Sequence, residues 1–393
     1  MQRLNVALVG QGFMGRAHSN AWGQVGKFFD VPVRPMMHTV FGQEAENPRA
    51  FADNWGWRNA STDWQSVVNS PEIDLVDLAT PNFMHMRPAL EAMAAGKACS
   101  CEKPLAGTLD DARAMAKAAR STGVKTFVWF NYRRCPAVAL ARRLVREGKL
   151  GQIRHVRARY LQDWADESVP LAWRFQKEWA GSGAHGDLNA HLVDLTRFVT
   201  GEEITEVAGA IAEIFIKRRK LMTGVVAGGI TAGLQSAEEE GDVTVDDTVL
   251  FLARFSGGGV ANFEAARQAT GNQNANRFEL NGTKGSLRFN FERMNELELY
   301  DATAPRAVQG WTTIMCTHAP DHPYVGNWWP DAHPIGYEHT FVNEAYDICR
   351  VLAGEEPVVP IPDFEDAYQT QRVLEAAMIS ATEKRPVKLE EVK

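Results

Sequence analysis

The chain has 393 residues, 45% hydrophobic and 23% charged, which excludes a disordered or fibrous protein and suits two domains. Its formal net charge is −7, so it lacks the basic footprint of a general nucleic-acid binder. No run reaches the ~18–20 apolar residues that span a bilayer, so no membrane partner is expected.

In chain order, Leu4–Val9 reads as a strand and Gly12 to about Val25 as a helix. Arg34–Phe41 and Ile73–Ala79 are further strands. Residues 84–95 have helical spacing and stop at Gly96, and Lys97–Cys101 is a strand. Asp110 is read as the cap of a helix ended by Gly123, and Lys125–Phe130 as a strand. This alternation predicts an α/β Rossmann domain with a parallel, doubly wound sheet over residues 1–131. From Pro136, suited to a first helical position, the texture changes. IRHVRARYL alternates with period two, and VLFLARF-SGGG-VANFEAARQ and RFELN-GTKG-SLRFN read as hairpins. They predict an α+β domain over residues 132–362 with a large, mostly antiparallel open sheet, interrupted by one helix at about 187–200. A helix over 363–385 is expected to pack back on the first domain. Residues 217–247 read as a long connection without periodicity, and their KRRK run at 217–220 as a solvated face. An exposed sheet face needs covering, so a homodimer or homotetramer through it is expected. Glu264–Arg267 and Trp311 are candidates for that subunit contact.

The N-terminus MQRLNVALVG enters a strand-like run without a signal-peptide layout. The five scattered cysteines (Cys99, Cys101, Cys135, Cys316 and Cys349) form no disulfide framework. The expected setting is therefore cytoplasmic. Cys99-x-Cys101 lies in a strand, and no metal site is expected.

Gly10-Gln11-Gly12-Phe13-Met14-Gly15 is G-x-G-x-x-G between a strand and a helix. The first glycine permits the tight turn, the second lets a pyrophosphate approach the backbone, and the third lets helix pack on strand. Free N–H groups at the helix N-terminus then attract the phosphates. A site for NAD usually carries Asp or Glu at the end of the second strand. Here that strand ends in Gly42-Gln43, with neither a carboxylate nor an arginine for a 2′-phosphate. Gln43 can bond either ribose. The reading favours NAD and leaves NADP open.

Further motifs follow in order: Thr80-Pro81-Asn82-Phe83-Met84-His85, Glu102-Lys103-Pro104, Asn131-Tyr132-Arg133-Arg134, Trp173-Arg174, and Gly183 through Asp194. Together with the glycine turn they resemble the glucose–fructose oxidoreductase / inositol dehydrogenase / MocA family over essentially the whole chain. Within it, YLQDW…LAWRFQKEWAGSGAHGD is similar to sugar 3-dehydrogenases. The resemblance implies hydride transfer at a sugar or cyclitol carbinol, with Lys103, Asp187 and His191 at the reacting hydroxyl. It implies cofactor contacts from Thr80, Pro81, Asn82, His85, Glu102, Lys103, Asn131, Trp173 and Arg174, besides the glycine turn. It implies substrate contacts from Lys103, Arg133, Gln162, Trp164, His185, Asp187, His191 and Tyr337. The sequence departs from the family pattern at His185, where an aliphatic residue is usual, and at Asn189-Ala190, where Gly-Ser or Gly-Ala is usual.

The residues also make chemical sense alone. Moving a hydride from a secondary alcohol leaves a proton, and a base must be within hydrogen-bond reach of it. Asp187 and His191 are four apart, so one helical face presents both. Leu188, Leu192, Leu195 and Val199 form the stripe that anchors this helix. Histidine titrates near neutrality, and a carboxylate can orient it or the sugar. Lys103 lies at the carboxyl end of a parallel strand, where such sheets bind ligands, and can donate to or relay from the hydroxyl oxygen. Of the second-domain tryptophans (Trp164, Trp173, Trp179, Trp311, Trp328 and Trp329), about two are expected at a pocket, since indole faces suit sugar rings. The donor-rich set suits a neutral sugar or polyol better than a sugar phosphate, which would want clustered cations. The 3-hydroxyl is implied by the resemblance alone. Rival readings are a cyclitol dehydrogenase, an NAD-dependent glycosidase using transient oxidation, and a nucleotide-bound sensor without turnover.

Overall fold

The computed structural model describes residues 2–223 and 235–393. The first domain runs β1 (Gln2–Val9), α1 (Phe13–Phe28), β2 (Val33–Phe41), α2 (Pro48–Trp55), β3 (Asn59–Ser61), α3 (Trp64–Asn69), β4 (Leu75–Leu78), α4 (Met86–Ala94), β5 (Ala98–Cys101), α5 (Leu109–Thr122) and β6 (Thr126–Val128). All six strands are parallel in the order β3-β2-β1-β4-β5-β6. Apolar runs such as Val6–Val9 are buried because helices cover both faces of a parallel sheet. The strand order reverses between β1 and β4, and ligands bind at the carboxyl ends beside such a switch point. Thr108, not Asp110, caps α5, accepting from the Asp111 N–H at 3.2 Å, while Asp110 falls in the first turn.

The second part continues with α6 (Pro136–Arg146), β7 (Ile153–Leu161), α7 (Lys177–Ala180), α8 (Ala190–Thr200), β8 (Ile204–Glu213), β9 (Arg218–Thr223) and β10 (Gln235–Asp242). Then come β11 (Thr248–Phe255), β12 (Val260–Ala266), β13 (Ala275–Gly282), β14 (Gly285–Asn290), β15 (Glu296–Asp301) and β16 (Trp311–Met315). It closes with α9 (Val325–Trp328), α10 (Tyr337–Leu352), α11 (Phe364–Glu383) and β17 (Val387–Lys388). Nine of these strands form one sheet, β16-β15-β14-β13-β7-β12-β11-β8-β17, antiparallel except where β12 runs parallel to β7. The buried α8 covers one face. The other face carries exposed Ile211, Leu250, Leu252 and Trp311. α11 packs against both α5 and β8, and the Phe364 N–H donates to Thr126 Oγ1 at 3.2 Å.

The 217–247 stretch is not structureless. β9 and β10 pair antiparallel, and the glycine-rich part between them lies outside the described residues. The solvated reading of KRRK fails at Arg219. Strand alternation leaves Arg218 and Lys220 outside, beside Glu240 and Glu238, and turns Arg219 inward. There it is buried and donates to the carbonyls of Ala165, Asp166 and Val169. Among the described residues no helix is long and apolar enough to cross a membrane.

Candidate active site

The glycine turn is shaped for a phosphate. Gly10 has φ +111°, and a Cβ there would lie 2.7 Å from Ala79 O. A Cβ on Gly15 would strike the Gly10 carbonyl, whereas one on Gly12 would meet nothing within 4 Å. Gly12 thus faces open space at the N-terminus of α1, whose N–H groups carry no side-chain cap. Phe13 is exposed and Met14 half-buried at this mouth, and the half-buried Thr80 and Pro81 follow β4 opposite it. The Thr80 hydroxyl is a buried oxygen with no hydrogen-bond partner. Gln43 opens a short turn, Glu44–Glu46, whose Glu46 carboxylate accepts from the Gln43 N–H at 3.0 Å. Carboxylates therefore stand just past the end of β2, although none lies at the strand end itself. These features fit a dinucleotide.

Lys103 emerges from the end of β5 and crosses to the second domain. Its Nζ donates to Asp187 Oδ1 at 2.9 Å and to Asp187 O at 3.0 Å. Asp187 lies in a π-helical turn, His185–Asn189, that precedes α8. Its other oxygen is 3.8 Å from Arg267 Nη1. Burial would raise this carboxyl, but the charges of Lys103, Arg174 and Arg267 hold it far below the usual carboxylate range. His191 follows one turn on, its ring stacked 4.3 Å from Tyr132 and edge-on to Phe130. Burial, reinforced by the Lys103 charge, drives its pKa well below the ordinary value. His191 is therefore a neutral imidazole at neutral pH and does not titrate there. Its Nδ1 is buried without a hydrogen-bond partner.

The side wall is polar. Gln162 donates to Asn274 Oδ1 at 2.8 Å and accepts from Trp164 Nε1 at 2.7 Å. The Tyr160 hydroxyl meets those of Tyr132 at 2.9 Å and Asn274 Oδ1 at 2.6 Å. Tyr337 packs edge-on against Phe291 and Phe341. The Arg174 guanidinium stacks 4.3 Å over Trp173.

Several expected site residues are engaged elsewhere. His185 is buried, donates from Nε2 to Leu374 O at 2.8 Å, and meets the Asn189 amide at Nδ1, 3.0 Å away. The two departures from the family pattern thus bond to each other, and the structure does not bring His185 to the site. Arg133 forms a buried salt bridge to Asp194 and bonds Asp366 at 2.7 Å, so its guanidinium is not available to a sugar. Asn131 donates to Thr340 Oγ1 at 2.7 Å, and Asn82 to Ala180 O at 2.9 Å. His85 lies between the carbonyls of Leu105 and Thr80, bracing the loops rather than facing the crevice.

Sequence reasoning missed three residues. Arg267, grouped above with Glu264 as a subunit contact, is buried against Trp164 and Phe175 and faces Asp187. Glu264 lines the open sheet face instead, and an odd spacing of three in a strand was the available signal. Tyr160 alternates inward on β7. His18 lies buried between Asp77 and Glu102, at 3.0 Å from each. A charged Asp77 inside an apolar strand was its signal.

A phosphate-ready turn, a lysine at the carboxyl end of a parallel strand and a facing Asp–His pair define a two-domain dinucleotide oxidoreductase. Residues 4–130 match the oxidoreductase family with an NAD-binding Rossmann fold, and residues 138–288 match the GFO/IDH/MocA C-terminal domain. Levoglucosan dehydrogenase of Pseudarthrobacter phenanthrenivorans is 40% identical over 386 residues, 97% of each chain. The crystal structure of an oxidoreductase domain protein from Kribbella flavida superposes with a TM-score of 0.91 at 46% identity, covering 99% of this chain and 100% of that one. Levoglucosan dehydrogenase in complex with NADH and levoglucosan superposes at 0.90 with 39% identity, over 98% and 99%. The chain belongs to the Gfo/Idh/MocA oxidoreductase family, with an NAD-binding first domain.

Proposed function

We propose that the protein is a cytoplasmic dehydrogenase that oxidises a secondary hydroxyl, at C3, of a neutral sugar, anhydrosugar or glycoside, using NAD⁺. The observation that carries this reading is the Lys103–Asp187 contact between the domains, with His191, whose Nδ1 has no hydrogen-bond partner, one turn on. NAD⁺ in the crevice would accept the hydride. Lys103 commits two N–H groups to Asp187 and has a third for the substrate oxygen. The neutral His191 supplies a ring nitrogen to take the hydroxyl proton. Ionised Asp187 holds Lys103 in place and needs no proton of its own. Glu44 and Glu46 disfavour a 2′-phosphate, which supports NAD over NADP.

A neutral substrate is supported by Arg133, whose guanidinium is bound by Asp194 and Asp366 and so is not offered to a phosphate. Gln162, Tyr160 and Asn274 offer amides and hydroxyls suited to sugar hydroxyls. The relatives named for an anhydrosugar, levoglucosan dehydrogenase above all, support that class. A scan of sugars, anhydrosugars and cyclitols for reduction of NAD⁺ and NADP⁺ tests the proposal. Turnover with an anhydrosugar or pyranose and NAD⁺ is expected. A clear preference for a sugar phosphate, or equal rates on a 3-deoxy analogue, overturns it.

The same reading includes a homodimer or homotetramer through the open sheet face. Arg157, Glu279, Arg288 and Glu298 lie side by side there in alternating sign, with exposed Leu250 and Leu252 beyond the intervening β12. Such a face can meet its own copy about a two-fold axis. Leu252→Arg should yield monomers by light scattering, and an unchanged mass would exclude this face.

A further inference from the structure

Both ring nitrogens of His18 face carboxylates. Nδ1 lies 3.0 Å from Asp77 Oδ2 and Nε2 lies 3.0 Å from Glu102 Oε1. The imidazole and Asp77 are inaccessible to solvent, and Glu102 nearly so. A neutral ring has one N–H, so its other nitrogen would point a lone pair at a carboxylate oxygen unless that carboxyl held a proton. Asp77 also accepts from Trp22 Nε1, Trp129 Nε1 and Ser100 Oγ at 2.7–2.8 Å, which favours its anion. Glu102 Oε2 accepts from the Lys103 N–H at 3.1 Å, which leaves Oε1 to meet the ring. The consistent assignment is an imidazolium between two carboxylates, with the indole of Trp129 4.3 Å away.

The location gives this ion a task. His18 lies on α1 one turn beyond Gly15, so it is fixed to the element that forms the phosphate turn. Glu102 immediately precedes the reacting lysine. We infer that His18 is a positioning residue for the reaction: through Glu102 it ties the Lys103 backbone to the glycine-turn helix, setting where Lys103 Nζ stands relative to bound dinucleotide. The inference rests on the proposed role of Lys103. Burial opposes a charge on His18, but Asp77 and Glu102 outweigh it and lift the pKa to about 10, in keeping with the geometry.

Two variants separate its contacts. The amide of His18→Gln reaches roughly where Nε2 lies and keeps a donor for Glu102. The amide of His18→Asn matches Nδ1 and keeps one for Asp77. Since small misplacements of a reacting group cost rate steeply, kcat should fall about 10–100-fold in His18→Asn and stay within about threefold in His18→Gln. NADH affinity, read by fluorescence, should be unchanged in both. Equal losses in the two variants, or losses that follow Tm, overturn the inference. A measurement on the unaltered protein needs neither variant to fold. Ring proton–nitrogen correlation spectra at neutral pH should show two protonated nitrogens on one buried histidine, and a singly protonated ring there overturns the assignment. If Lys103→Ala keeps its turnover, the role of Lys103 fails. If Lys103→Ala is inactive while His18→Asn is normal, only the role of His18 fails.

Discussion

Replacing Lys103 by alanine removes the side chain that bridges the β5 strand end and Asp187. Three losses follow: a donor to the substrate oxygen, the charge that helps keep Asp187 ionised, and the link that sets the distance between the two. Loss of a single preorganised donor costs about 10²–10³ in kcat, or ~3–4 kcal/mol. Loss of proton-transfer assistance adds to this, so a fall of about 10³-fold or more is expected. The effect on folding should be much smaller. The pair is partly solvated, with side-chain exposures of 14% and 27%, and Arg174 and Arg267 still accompany Asp187 in the variant. About 1–3 kcal/mol of stability is at stake, a Tm decrease of at most about 10 °C. Dinucleotide affinity should change little, because the phosphate turn is untouched. Turnover followed by NADH absorbance, affinity by NADH fluorescence and Tm by calorimetry separate these effects. Lys103→Arg sharpens the test, since its planar fork keeps the charge but moves its donors away from the single point that Nζ occupies. Near-normal kcat in either variant would refute the reasoning.

Gly12→Val should leave Tm nearly unchanged, as a Cβ there meets nothing, yet weaken NADH binding strongly; unaltered affinity would exclude the turn as the phosphate site. His191→Ala should lower kcat about 10²–10⁴-fold, and the parent protein should show no His191 limb near neutrality, because its pKa lies well below that range. Glu344 is buried with neither oxygen hydrogen-bonded, and burial lifts its pKa to about 8. An acid with a raised folded pKa gives stability that is complete below its unfolded value near 4.5 and is lost as pH rises through about 8. Glu344→Gln should therefore exceed the parent in Tm at alkaline pH, and equal alkaline losses in the two would count against this.

The features legible in the sequence were those whose partners sit within one local pattern. Gly10, Gly12 and Gly15 declare a turn because strand, spacing and helix lie within a dozen residues. Lys103 and the Asp187–His191 pair are fixed by a strand end and a helical spacing. His185 was not legible in that way. Its choice between pocket and core is decided by Leu374 O, which arrives with a helix from the far end of the chain. Arg133 is similar, because Asp194 and Asp366 reach it from two separate helices. The protonation of His191 depends on Tyr132 and Phe130 walling it in, so its type suggested a titration that its surroundings remove. The β9–β10 hairpin escaped detection because both of its strands are rich in charged, exposed residues, which gives no hydrophobic alternation to read.

Some of what was missed was nonetheless recoverable. Asp77 stands in the middle of IDLVDLAT, whose strand residues are all buried. A carboxylate there requires compensating donors, or burial would drive it to its neutral form. The elements flanking this strand in the sheet order are β1 and β5, and the helix that follows β1 presents His18 on its inner face. The demand for a partner and the nearest residue able to meet it were both in the sequence. What the sequence could not supply is the second half of the arrangement, the Glu102 contact. Glu102 follows β5 at a strand end, where a side chain can turn either to solvent or inward, and only the packed structure turns it onto His18. The link between the phosphate turn and the reacting lysine thus combines one contact compelled by burial with one chosen by packing.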